Sequence, residues 1–99
     1  MESKIEKLCR FASKYFNVDE RDLYSEGRKS NCVMARHILW YYLHFELGFS
    51  AGELSKEFLK DRRTIFLGIS KIKNGIKRQR YYRDIYDSFV EEYNKKATL

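Results

Sequence analysis

Between residues 60 and 80 the chain sets eight cationic side chains, Lys60, Arg62, Arg63, Lys71, Lys73, Lys77, Arg78 and Arg80, against one acid, Asp61. Scattered charges of this kind would decorate a solvated helix face. Concentrated on one segment they suit a polyanion, because each lysine or arginine that neutralises a phosphate releases a condensed counterion and makes the association salt-dependent. The same segment carries groups able to read bases. Arg63 can pair bidentately with guanine, Asn74 with adenine and Ser70 with either, and Leu67, apolar on an otherwise polar face, can meet a thymine methyl. Leu67, with Phe66 and the nearby arginines, is equally what a protein partner would bury.

The excess charge is local. Residues 1–27 carry five basic and six acidic side chains, 28–80 twelve and four, and 81–99 three and four, so the middle of the chain supplies the whole net charge of +6. Other chemistries find little support. Cys9 and Cys32 are expected to be free, buried thiols, since neither sits in a CxxC pair or beside a histidine at zinc-ligand spacing. His37 and His44 can share a helix face but have no nearby third ligand, so no metal is expected. Glu91 and Glu92 fall on a solvated face, and no nucleophile, base and orienting group recur in a catalytic pattern. Most of the tyrosines fall on core stripes, which leaves single-strand stacking a minor alternative. The reading is a binding protein with no enzymatic activity, no cofactor and no small-molecule substrate. With no apolar run of about 18 residues and no signal-peptide pattern, it is expected in the cytoplasm, associated with the nucleoid and not with a membrane.

Elements that position these groups follow from helical spacing. No proline interrupts the chain, and five glycines, at 27, 48, 52, 68 and 75, are the main breaks. Ile5, Leu8, Cys9, Ala12, Tyr15 and Phe16 make one apolar stripe of a first helix that Asn17 ends. Asp19 caps a short second helix, 20 to about 24, with Val18 and Leu23 turned inward. A polar, partly basic loop over 25–30 precedes a third helix, capped by Ser30 or Asn31 and running to Leu47. Its middle is apolar on nearly every side, which places it at the centre of a bundle. Gly48 stops it. Ser50 and Glu53 form a capping box that opens a fourth helix ending near Phe58, and Asp61 starts a fifth that runs to about Gln79. Ile65, Ile69, Ile72 and Ile76 form its core stripe. Arg63, Leu67, Ser70, Lys71, Asn74 and Arg78 fall roughly opposite, at about 100° per residue. Asp61 is expected to cap this helix, and Thr64 in its first turn to reach a backbone phosphate. Gly68 and Gly75, flanking the stripe, suggest that the third or last helix crosses there. The last helix begins near Tyr81 or Tyr82, with Tyr82, Ile85, Tyr86, Phe89, Val90 and Tyr93 inward. The fold class is all-α: one domain over 1–99, a compact bundle of about six helices in which 50–58 and 61–79 form a helix-turn-helix.

YFNVDERDL over 15–23, the basic RKS at 28–30, ARHILWYYLHFEL over 35–47, SAGELSKEF over 50–58 and DRRTI over 61–65 resemble, in order and spacing, the C-terminal DNA-binding domain of the bacterial replication initiator DnaA. That resemblance implies a Trp-repressor-like all-α fold that binds double-stranded DNA, with the signature at the start of the recognition helix in the major groove and the basic loop in an adjacent minor groove. Carried over by position, Asp61 and Thr64 match the signature's acid and second threonine, while Arg62 and Arg63 replace its histidine and first threonine. Arg28 and Lys29 fall in the basic loop. The DNA-binding set is then Arg28, Lys29, Ser50, Lys60, Asp61, Arg62, Arg63, Thr64, Leu67, Ser70, Lys71 and Asn74. The family's A-R-P-R-Q is not kept: Arg36 falls on its proline and His37 on its second arginine. Its ATPase portion has no counterpart here, and no glycine begins a GxxxxGK[ST] loop. The expectation is a stand-alone module, of phage, plasmid or mobile-element type, or else a domain excised from a longer chain, that acts in replication initiation or its regulation and meets replication proteins. A transcriptional regulator and a protein-interaction module on the same fold are the alternatives.

Overall fold

A computed structural model describes residues 3–24 and 29–97, and these form five α-helices and a 3₁₀ turn with no strand among them. The helices are α1 (Lys4–Phe16), α2 (Ser30–Phe45), α3 (Ala51–Phe58), α4 (Arg62–Arg78) and α5 (Arg80–Ala97), with the 3₁₀ turn at Glu20–Leu23 after α1. The all-α expectation is met, and the second element is a 3₁₀ turn because four residues, capped by Asp19 onto the Arg21 amide, are too few for α-helical bonding.

Each helix end has a local cause. Asn17 ends α1 in the left-handed region, φ 55°, and the Val18 amide returns to the Ser13 carbonyl at 2.9 Å. At the end of α2, Gly48 adopts φ 78°, which lets the Phe49 N–H reach back to the Leu43 carbonyl at 3.0 Å. The His44 Nδ1 then lies 2.7 Å from the Phe49 carbonyl and pins the same turn. The capping box at Ser50 and Glu53 is complete in both directions, at 3.0 Å each. The cap of α2 differs from expectation. Neither Ser30 nor Asn31 caps α2: Lys29 occupies that position with no side-chain bond, and Ser30 is already the first helical residue.

α2 is the axis of the molecule. Ala35, Ile38, Leu39, Trp40, Tyr42 and Leu43 are all buried on it, and it packs on α1, on the 3₁₀ turn and most extensively on α4. Ile65, Ile69 and Ile72 of α4 are buried as the spacing requires, while Ile76 is partly so. The two glycines of α4 lie at crossings. A Cβ on Gly68 would stand 2.7 Å from His37 and 2.8 Å from Trp40 of α2, and one on Gly75 would stand 2.7 Å from Tyr82 of α5. Both α2, the third element along the chain, and α5 therefore cross α4 where the glycines allow it. α5 closes the other end through Phe89, whose ring contacts Phe11, Tyr15 and Phe16 of α1 and Tyr42 of α2.

Candidate nucleic-acid interface

The turn between α3 and α4 sets the direction of the basic helix. Leu59 ends α3 with φ 53°, the Lys60 amide donates to the Ser55 carbonyl at 3.0 Å, and the Ser55 hydroxyl donates to the Lys60 carbonyl. Asp61 then enters α4 with extended backbone, its carbonyl accepting from the Ile65 amide at 3.1 Å. Its carboxylate makes no capping bond, which corrects the expectation that it satisfies the first amides. The backbone has cap geometry while the carboxylate is turned to the surface, where it is exposed.

With the isoleucine stripe held against α2, the opposite face of α4 is turned outward. Arg63, Thr64, Leu67, Lys71, Asn74 and Arg78 are exposed and Ser70 is half-buried. Arg62 stands apart from them: its guanidinium lies over Gly52 of α3, within 3.0–3.3 Å of where a Cβ would be, so it flanks the outward face. Ser50 is exposed at the start of α3, its oxygen already accepting from the Glu53 amide while the hydroxyl proton stays available to an acceptor.

Two grooves join α4 to α2. Lys60, Asp61 and Thr64 share one of about 680 Å³ with Lys56, Leu59, Arg36, His37 and Trp40. Lys56, an exposed cation on α3, was not singled out from the sequence, since only its place beside the turn brings it to this groove. Lys71 lines the second, of about 310 Å³, together with Ser30, Val33 and His37. It therefore joins the recognition face to the start of α2, where Lys29 is exposed. Arg28 lies outside the described residues.

Arg36 and His37 do not offer charge to a phosphate. Arg36 is buried and donates to the Asp22 carbonyl at 2.7 Å, tying α2 to the 3₁₀ turn. His37 is pushed down to about 4, first by burial and then by the neighbouring Lys71 and Arg36, so it is neutral near pH 7. Both thiols are buried, and burial raises Cys9 to about 11, which leaves it without a thiolate at neutral pH.

A short helix, a tight turn and a second helix make a helix-turn-helix, and the family model for the bacterial DnaA protein helix-turn-helix matches residues 5–72. The chain belongs to this family. The match begins in α1 and ends at Ile72, so it takes in the turn, Asp61, Thr64 and the first eleven residues of α4. The end of α4 and all of α5 lie beyond it. Membership makes the chain a DNA-binding protein. Among the described residues no helix is long and apolar enough to cross a membrane.

Proposed function

We propose that the chain binds double-stranded DNA sequence-specifically, with α4 in the major groove and the basic loop around 27–30 in the adjacent minor groove. The observation that carries this is the pairing on α4 of a buried isoleucine stripe with an outward face on which Arg63, Leu67, Asn74 and, half-buried, Ser70 combine guanine-, adenine- and methyl-reading groups. Asp61, with its carboxylate not used in capping, can accept from a cytosine amino group. Thr64, Lys60, Lys71 and Ser50 supply backbone contacts that set register. Arg62 flanks the groove edge, and Lys29 with Arg28 approaches the minor groove. The role is replication initiation or its control, carried by binding alone, with no ATP hydrolysis in these residues.

Fluorescence anisotropy of a labelled duplex carrying an initiator-type box, competed with scrambled duplex at low and near-physiological salt, tests the reading. Binding that survives scrambled competitor is expected. Equal affinity for both duplexes, falling steeply with salt, would replace it with sequence-independent binding. A second reading has its own support in Phe66 and Leu67, 62% and 58% exposed on α4. A protein partner that buries them would leave no duplex affinity even at low salt.

A further inference from the structure

A second cationic surface runs along α1, away from the helix-turn-helix. Lys7, Arg10 and Lys14 recur at three- and four-residue spacing, hence on one stripe, and with Phe11, Tyr93 and Lys96 they line a groove of about 460 Å³ between α1 and the end of α5. Four cations and no acid line it. The sequence tally conceals this, because the five basic residues of the first 27 are offset by acids such as Asp19, Glu20 and Asp22, which the fold places in the turn after α1. On α5 the neighbouring Glu92 is held by Lys95 at 3.5 Å and does not line the groove.

The floor of the groove is aromatic but closed to base stacking. Phe11 is fixed by Phe89 at 5.5 Å and Tyr93 at 5.2 Å, and the Lys96 ammonium stands 5.8 Å over its ring. The surface therefore offers charge, mostly from lysines that meet a phosphate as point charges, and no free ring on which a base could stack. It is also distant from α4: α5 meets α4 at Tyr82 and meets this groove at Lys96, a rise of about 21 Å along the helix. α2 packs between α1 and α4. The large exposed apolar side chains, Phe45, Leu47, Leu59, Phe66, Leu67 and Tyr81, are not among the residues that line it, so it lacks the inserting groups of a bilayer-binding face.

We propose that this groove is a second, sequence-independent site for the phosphate backbone of a DNA duplex, so that one molecule holds a second duplex while α4 holds the first. The DNA-binding reading of α4 enters only in naming the polyanion. ¹⁵N-labelled protein titrated with a short duplex at low salt keeps the two apart. Amides of α4 are expected to saturate near one equivalent. Amides of residues 7–14 and 93–96 are expected to shift with the second equivalent and to return as salt is raised. Lys7→Gln with Lys14→Gln should weaken the second step about tenfold, lower its logarithmic salt slope by about 2 and leave the first step and the melting temperature unchanged.

Three results would overturn the proposal: no α1 shifts at several equivalents, α1 shifts in step with those of α4, or α1 shifts produced by anionic vesicles and not by duplex. Missing α4 shifts with intact α1 shifts would remove the α4 reading and overturn the two-duplex arrangement, leaving the α1 groove as the phosphate-backbone site of a single duplex.

Discussion

At the α2–α4 crossing a Cβ on Gly68 would stand 2.7 Å from His37, whereas at the α3–α4 turn Leu59 is 87% exposed in a left-handed backbone conformation. Both sites position the same helix. The crossing does so by close packing: a glycine costs about 1 kcal/mol of helix propensity, offset where it lets Trp40 and the isoleucine stripe meet. The turn does so by backbone geometry and two bonds between Ser55 and Lys60, and it leaves the Leu59 side chain to solvent. A substitution at the crossing should therefore act on folding, and one on the open side on binding or hardly at all.

Gly68→Leu should have the largest effect. The added side chain has no space between His37 and Trp40, and a loss of about 4 kcal/mol is expected, read as a collapse of the thermal transition. An unchanged melting temperature would show that the crossing is looser than the geometry requires.

Protonation of His37 should stress the same crossing. Its folded pKa of about 4 lies below the ordinary 6.5, so between these values the unfolded chain binds more protons and stability falls as pH falls. The contribution is full above about pH 6.5 and is lost by about pH 4; solvent screening of this half-buried ring holds it to about 1 to 2 kcal/mol. Urea midpoints at pH 7 and 4.5 check it, and His37→Gln should flatten the difference. An equal pH dependence in that variant would assign the effect to other groups.

On the open side, Arg63→Ala should leave the melting temperature unchanged and cost about 1 to 3 kcal/mol of duplex affinity, with relaxed preference at one base position. A uniform loss across all sequences would make Arg63 a phosphate contact. Leu59→Gly should have the smallest effect. It removes a left-handed non-glycine residue that buries little, and should raise stability by at most about 1 kcal/mol with DNA affinity unchanged. A loss of affinity would place Leu59 in the interface.

Much of the fold was legible because its signals are short-range. The 4, 3, 4 spacing of the α4 isoleucines, the capping box at Ser50 and Glu53 and the end of α1 at Asn17 need only neighbouring residues to be read. Of the interface, the outward α4 set could be read by the same rotation. Three features were hidden. Arg36, charged and set in an apolar helix, is buried on the Asp22 carbonyl; Lys56 reads as an ordinary α3 lysine and sits at the turn; the Asp61 carboxylate reads as a cap and makes no capping bond. Each depends on a side-chain direction or on a partner distant along the chain.

By itself the sequence determined the helices, their apolar stripes, the helix-turn-helix and the family, since periodicity, caps and motif order are local properties of the chain. Tertiary structure decided which charges share a surface. It joined Lys71 to the start of α2, turned Arg62 onto α3, withdrew Arg36 and His37 into the packing, and gathered Lys7, Arg10, Lys14 and Lys96 from two distant helices into one groove. Electrostatic potential depends on distance through space, which helix packing sets and a tally along the chain does not contain.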